Sequence, residues 1–401
     1  MRIGILVDID NKTILPFLKQ KDRLEVAQAC HDSCAPSVNT LILSLIKAGH
    51  YVRIFALAKK KIHVKSELVE IFTETPYDIY PIKYLWGFFY TAKRLSNLVK
   101  THIEDLDVLH AHWTYTYAYA AIPFQNKIPV FCTVRDWPSV IFKAESWKNK
   151  ISWIAKYFMS EIVYKQPSIN FIGNSPYTAK LVAAKINKQV PIIPNSIKDS
   201  FVRKDETDNN NKSKTVLCIS SSNDKRKNVK SLLLAFRLFN QRFPETKLTL
   251  VGPPFVSGEP VIEKWKKEEL LHNVDLIGPV SHSELITYLD NAMMFVAPSK
   301  EETFGNTLLE SIVRNCPIIG GKNSGAVPYV LHEGRAGYLC DVNSPEDIFN
   351  MMSYVYTHPK ERLDKAKIAK QIILSEYSES KVCTMHIQLY NKYVDICSLN
   401  K

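Results

Sequence analysis

No stretch of the sequence approaches the roughly 18 uninterrupted apolar residues that a bilayer-spanning helix requires, which leaves a soluble or peripheral protein as the expectation. The first residues do not carry the features expected of a secretory leader either. MRIGILVDID has one basic residue and an apolar run too short for a signal core, broken by Asp8 and Asp10 and followed by no small-residue cleavage site; it reads as a first β-strand. Cysteines are few and scattered, eight in 401 residues. The only close pair, Cys30 and Cys34 around His31, has no second cluster to complete a zinc site. Cys132, Cys218 and Cys316 sit in or beside apolar runs, so reduced core thiols in a cytoplasmic protein are expected. Short-period repeats are absent, which excludes solenoids and propellers. No recognised nucleic-acid-binding motif accompanies the basic charge.

What is present is a chain too long for one ordinary core and short for three, with 46% hydrophobic and 23% charged residues, ample for two packed units. The net charge of +12 and pI of about 9.1 point to an anionic partner: nucleic acid, phosphorylated substrate or acidic lipid. Short β-branched runs (IGILVDI, YVRIFAL, DVLHAHW, PVFCTVRD, INFIGNS, PIIPNS) alternate with helical patterns such as NTLILSLIKAGH, whose Leu41, Leu45 and Ile46 recur at helical spacing before a stop at Gly49. This is the signature of a doubly wound parallel α/β sheet. The pattern collapses in the polar, Asn-rich RKDETDNNNKSK, Arg203 to Lys214, and then restarts with TVLCISS, KLTLVG, VDLIGPV, MMFVAPS, CPIIGG and AGYLCDV. The expected division is residues 1–200 and 201–380, with the domain change near the polar run.

In the second half, MMFVAPS reads as a strand and TLLESIVRN as a helix, so KEETFGN is the loop at a strand's carboxyl end, the edge where doubly wound folds bind ligands. Asn306 is the expected N-cap, and the first-turn N–H groups with the helix dipole make an anion site suited to a pyrophosphate. Glu310, one turn in, is placed to accept hydrogen bonds from two neighbouring sugar hydroxyls, and Glu302 on the loop to do the same for a second sugar. Read as an isolated pair, the two glutamates fit solvated surface charges equally well.

Taken with its surroundings, this stretch resembles the large retaining glycosyltransferase family 4, of the two-Rossmann-domain GT-B architecture. APSKEETFGNTLLESI carries a Glu-x7-Glu signature after Pro-Ser, NCPIIGGKNSGAVPYV looks like the segment that follows it, and VDLIGPVSHSELITYLDNA, LTLVGPP, IGNSPYTAKLV, IIPNSI, VLHAHW and IKAGHYVRIF match further landmarks in order. The resemblance covers Arg2 to about Asp347. It implies two Rossmann-like domains facing across a cleft, the first for acceptor and the second for donor, with a C-terminal helix within about 381–401 (Lys381 to Ile396) crossing back to the first domain.

The resemblance assigns Glu310 to the nucleotide ribose, Glu302 to the donor sugar, and backbone groups around Phe304, Gly305, Asn306 and Thr307 to the sugar and diphosphate. Lys227 matches the lysine that neutralises the leaving diphosphate, but the arginine usually six residues earlier is Ser221; Arg226 is the candidate substitute, while Lys225 reads as a surface charge. His112, on the same strand face as His110 and nearer the ligand edge, matches a histidine near the reacting sugar, although a merely hydrogen-bonded strand-end histidine is the plainer alternative. Arg135 in TVRDW stands where the family commonly has histidine, and SCAPSVN, Ser33 to Asn39, replaces a glycine-rich loop. No metal or other cofactor is implied, and the Asp8 to Asp10 DID only mimics the metal-binding Asp-x-Asp of the other main glycosyltransferase fold. The expected partners are a nucleotide-sugar donor and a glycan or lipid-linked acceptor, with no nucleic acid. Two aromatic and basic helical stretches, Tyr84 to Lys100 and Ser146 to Lys165, suit either a core stripe or peripheral contact with the inner face of a membrane. A catalytically silent subunit that partners another transferase is the alternative of a different class, and a sugar-nucleotide epimerase a weaker third.

Overall fold

Strands in both halves are short and rich in Val, Ile and Leu because both of their faces are covered. In a computed structural model, which describes residues 1–10, 12–31, 34–80, 86–145, 147–203 and 213–399, residues 1–196 with 379–401 form one unit and residues 197–378 another.

The first unit holds β1 (Arg2–Leu6), β2 (Tyr51–Leu57), β3 (His63–Lys65), β4 (Val69–Glu74), β5 (Val108–His112), β6 (Val130–Val134) and β7 (Ile169–Gly173). They lie in the order β3-β4-β2-β1-β5-β6-β7, all parallel except the edge strand β3. Strand order reverses at β1, between β2 and β5, which opens a crevice at the carboxyl ends there. Ile3 and Ile5 face the helix Pro36–Lys47, whereas Leu6, Leu109 and Val130 face the helices Trp86–Lys100, Thr116–Ala121 and Trp147–Tyr164. Gly49 follows the Pro36–Lys47 helix at φ +81, the left-handed stop expected from the sequence.

Two features depart from the sequence reading. PIIPNS forms only an isolated bridge, Gly173 with Ile192, because Pro191 and Pro194 have no N–H to extend a ladder. Strands β3 and β4 are not legible as an apolar alternation because Glu70 occupies a buried β4 position, where it pairs with Arg53 on β2 at 2.8 Å.

The second unit holds β8 (Thr215–Ile219), β9 (Lys247–Val251), β10 (Val274–Gly278), β11 (Met294–Ala297), β12 (Ile318–Gly321) and β13 (Tyr338–Cys340), in the order β10-β9-β8-β11-β12-β13. Its reversal falls between β8 and β11. The chain enters this unit before the polar run: Ile197 N–H donates to Tyr377 O at 2.8 Å and Arg203 N–H to Val313 O at 3.2 Å. Residues 204–212 of that run lie outside the described residues.

The helix Glu379–Leu399 belongs to the first unit. Glu379 pairs with Lys47 at 2.9 Å, and Val382, Cys383 and Tyr390 join the core built on Ile3 and Ile5. The Tyr390 hydroxyl lies 2.6 Å from His110 Nδ1, whose Nε2 is 2.8 Å from Thr133 Oγ1. All eight cysteines are free thiols. Tyr390→Phe leaves a wholly buried imidazole nitrogen unsatisfied, so it is expected to lower unfolding free energy by about 1–3 kcal/mol with helix content unchanged, measured by urea denaturation followed by circular dichroism.

Candidate active site at the sheet reversals

In the second unit the loops leaving β8 and β11 meet where the strand order reverses. The β8 loop is built on Asp224: Oδ1 accepts the N–H groups of Arg226 (2.8 Å) and Lys227 (3.3 Å), and Oδ2 accepts Ser222 Oγ at 2.7 Å. Asn228 then turns through a left-handed conformation, φ +54, and its Nδ2 reaches Pro298 O at 3.1 Å and Val342 O at 2.7 Å. Lys300 N–H closes the contact on Arg226 O at 2.8 Å. The loops are thereby fixed to each other by backbone, and Lys227 Nζ meets Glu302 Oε1 at 2.6 Å. Burial works to raise the Glu302 carboxyl, but the charge and hydrogen bond of Lys227, with Arg226 nearby, outweigh it and hold it below the ordinary range. Arg226 lies 3.4 Å from Asp224 and 3.6 Å from Glu301, while Ser221 and Lys225 are exposed.

Glu302 is also held by its backbone. Its carbonyl accepts Ala326 N–H at 2.8 Å, and Gly325, at φ +63, passes so close that a Cβ there would lie 2.3 Å from the Glu302 oxygen. This explains a glycine that the sequence reading left without a role. The helix Asn306–Val313 begins one residue earlier than expected: Gly305, at φ +89, is the N-cap and Asn306 the first helical residue. Glycine wins that position because its positive φ is strained for any residue with a Cβ. The Phe304 side chain is core, edge-on to Tyr377 at 5.8 Å, so only its backbone faces the loop's ligand edge. Thr307 lies in the first turn, whose N–H groups lack intrahelical acceptors.

Glu310 is buried on this helix and makes no hydrogen bond or ion pair among the described residues. Burial alone pushes its carboxyl up to about 7. A buried carboxyl without a partner is costly unless something arrives to satisfy it.

In the first unit, His112 ends β5 and its ring lies 4.2 Å from that of His110 on the same strand face. Arg135, just past β6, has Nε 3.2 Å from His112 Nδ1, and Nη1 3.0 Å from Ser37 Oγ and 2.5 Å from Asn195 Oδ1. A guanidinium only donates, so Nδ1 must accept and the neutral ring carries its proton on Nε2. That Nε2 is buried without a partner. Burial, then the neighbouring His110 and Arg135, keep His112 well below the usual histidine range. Burial likewise draws Arg135 down to about 10. Ser37 and Asn195 were not foreseen, because nothing in a sequence marks residues 98 and 60 positions away as partners of one guanidinium.

The glycine-free loop before the Pro36–Lys47 helix is accommodated by Ala35 at φ +43, with Asn39 Nδ2 2.7 Å from Cys34 O and 3.0 Å from Ala35 O; Ser33 lies outside the described residues. Asp8 accepts the Tyr117 hydroxyl, and Asp10 Oδ1 accepts the N–H groups of Lys12 (2.9 Å) and Thr13 (2.6 Å). Among the described residues no group of three or more His, Cys, Asp or Glu side chains has metal-site geometry.

Residues 36–201 match the family model "Glycosyltransferase Family 4" and residues 201–372 the model "Glycosyl transferases group 1". Glycogen synthase of Mycobacterium tuberculosis is 26% identical over 167 residues, 41% of this chain and only 39% of that protein's length. An uncharacterized 41.2 kDa protein in the cps region of Klebsiella pneumoniae is 24% identical over 319 residues, 75% of this chain and 84% of that protein. Among solved structures, sucrose-phosphate synthase from Thermosynechococcus elongatus shares the fold at TM-score 0.74 and 14% identity, over 98% of this chain and 99% of that one. Anabaena Alr3699/HepE in complex with UDP does so at TM-score 0.67 and 13% identity, over 98% of this chain and 100% of that one. The fold is therefore GT-B.

Glu310 and Arg135 each yield a test. With its folded pKa raised from 4.5 to about 7, Glu310 binds a proton more readily folded than unfolded. Its contribution favours folding below about pH 4.5 and is lost as pH rises to about 7. Glu310→Gln is expected to stabilise the ligand-free protein by up to about 3 kcal/mol at pH 8 and by little at pH 4; denaturation at the two pH values measures this. In Arg135→Met, ¹⁵N NMR of His112 is expected to show mixed tautomers where the parent shows Nε2–H alone. An Nδ1–H tautomer in the parent would refute the Arg135 contact.

Proposed function

Because the chain belongs to glycosyltransferase family 4, we propose that it moves a sugar from a nucleotide-sugar donor to a glycan or lipid-linked acceptor, with retention of configuration, in the assembly of a cell-surface polysaccharide. The observation that carries this reading is Glu310: a buried, unpartnered carboxyl on the helix whose first turn adjoins the Lys227–Glu302 pair. Two ribose hydroxyls supply the hydrogen bonds that the carboxylate lacks, and their arrival favours its ionised form. The UDP complex of the Anabaena protein supports a nucleotide as donor handle, and the relative from a cps region supports the polysaccharide role.

In this scheme the diphosphate sits on the N–H groups of the Asn306–Val313 helix, around Phe304, Gly305, Asn306 and Thr307. Lys227 turns from Glu302 toward the leaving phosphate, which frees Glu302 to accept hydroxyls of the transferring sugar. As the anomeric C–O bond to the diphosphate breaks and the bond to the acceptor oxygen forms on the same face, the acceptor's proton passes to the departing phosphate oxygen. No dedicated base and no metal ion takes part. The chain's contribution is to stabilise the negative charge that develops on the leaving group. His112, neutral and donating through Nε2, is assigned a substrate hydroxyl or carbonyl on the first unit, and Arg226 stands in part for the arginine missing at Ser221.

A thermal-shift screen of nucleotide sugars followed by turnover with the responding donor tests the reading. Lys227→Ala is expected to lower turnover about 10²-fold or more, the scale of losing one preorganised electrostatic contact, with a smaller loss of donor binding. Turnover within about threefold of the parent would move the charge to Arg226 or elsewhere. Donor binding without any transfer or hydrolysis would favour the silent-subunit alternative.

A further inference from the structure

On the helix Trp147–Tyr164 the inward side is ordinary: Ala155, Met159 and Val163 are fully buried. The outward side is not. Ile151, Ile154, Phe158 and Ile162, spaced i, i+3, i+7 and i+11 along one face, present Ile151 at 48%, Phe158 at 55% and Ile162 at 39% exposure, with Ile154 half-buried. The neighbouring helix Trp86–Lys100 repeats the arrangement, burying Ala92, Leu95 and Val99 and exposing Trp86 at 60% and Tyr90 at 49%. Single exposed apolar residues need no explanation, but a row of them on two packed helices does. Tyr84, Leu85 and Ser146, which flank these helices, lie outside the described residues.

The exposed charges on these two helices are mostly basic. The helix Trp86–Lys100 carries Lys93, Arg94 and Lys100, all exposed, and no acidic residue; on Trp147–Tyr164 Lys150 is half-buried, Lys156 lies inward over the Trp153 ring at 4.2 Å, and Glu161 is the one acidic residue. Glu161 is itself paired with Lys185 at 2.6 Å. Lys93, Arg94 and Lys100 continue the exposed face on which Trp86 and Tyr90 begin. A two-fold interface with a second copy would set these cations against their own images, whereas an anionic headgroup layer satisfies both features: aromatic rings and isoleucines at the acyl boundary, cations among the phosphates. Each helix starts at the carboxyl edge of the first sheet, since each connects one parallel strand to the next, and that is the edge at which His112 ends β5.

We infer that the outer faces of Trp86–Lys100 and Trp147–Tyr164 form a docking surface for an anionic lipid bilayer. That the bilayer also presents a lipid-linked acceptor rests on the transferase reading above.

The test uses the full chain and vesicles of phosphatidylglycerol with phosphatidylcholine, compared with vesicles of phosphatidylcholine alone. The parent is expected to sediment with the anionic vesicles only, and to be released when salt rises from about 0.1 M to about 1 M. Phe158→Ser combined with Ile162→Ser, both outward and so compatible with an unchanged melting temperature, is expected to reduce partitioning about tenfold or more. Lys93→Glu with Lys100→Glu is expected to remove the preference for anionic lipid. The inference is overturned if the parent stays in the supernatant at low salt or if the serine variant partitions like the parent. It is also overturned if ultracentrifugation shows a dimer that the serine variant dissolves, which would give the face to a second copy. Nucleotide-sugar turnover is measured alongside: lost vesicle binding with turnover retained removes only this surface, and the converse removes only the transferase reading.

Discussion

A lysine and a glutamate 75 residues apart in sequence are held 2.6 Å from each other where the strand order of the second sheet reverses, and most of the local architecture serves to keep them there. The pair lies within the protein's surface, so neither charge is fully solvated and each needs the other. Asp224 shapes one loop and Gly325 braces the other, while Asn228 stitches the first loop to the end of β11. What results is a cation that is available only if something displaces its carboxylate. A bound diphosphate is such a competitor, and a hydroxylated sugar is a suitable replacement partner for the carboxylate. On the transferase reading proposed above, the pair is a placeholder for substrate.

The two units solve the placement of charge differently. In the second, burial works to raise the Glu302 carboxyl, and Lys227 and Arg226 overcome it and hold the carboxyl below its ordinary range. In the first, three buried histidines and an arginine gather near the carboxyl ends of β5 and β6 and the inner side of the Glu379–Leu399 helix, and burial depresses His110, His112, His386 and Arg135 alike. The histidines stay neutral there and act as hydrogen-bonding rings. Arg135 fixes which ring nitrogen of His112 carries the proton, a choice that a histidine in its place would not impose in the same way. The departure at position 135 thus changes the state of a neighbouring side chain as well as local charge.

The sequence displayed the sheets, the Glu-x7-Glu loop and the strand-end histidine because each is a local pattern: a β-branched run, a glycine turn before a helix, an alternation of period two. The Glu379–Leu399 helix was legible in position through the family resemblance, and its attachment through Lys47 follows from packing. Illegible were features set by contacts distant in the chain. Strand β4 looked unlike a buried strand because Glu70 is neutralised by Arg53, and Phe304 looked like a ligand-loop residue although its ring belongs to the core. Gly325 gave no signal of its own, since the atom that forbids a side chain there belongs to Glu302. The aromatic and basic helices were readable as amphipathic, but the division between Met159 inside and Phe158 outside required the fold.

The return of the Glu379–Leu399 helix to the first unit orders events during synthesis. Every strand of the first sheet emerges from the ribosome before residues 197–378 are made, yet Val382, Cys383 and Tyr390 are part of the core beneath that sheet. The second unit, continuous in sequence, has all its parts as soon as it is translated. The first must wait with a groove beside the Pro36–Lys47 helix uncovered, so it is the N-terminal unit that finishes folding last and the one whose nascent state exposes apolar surface to chaperones.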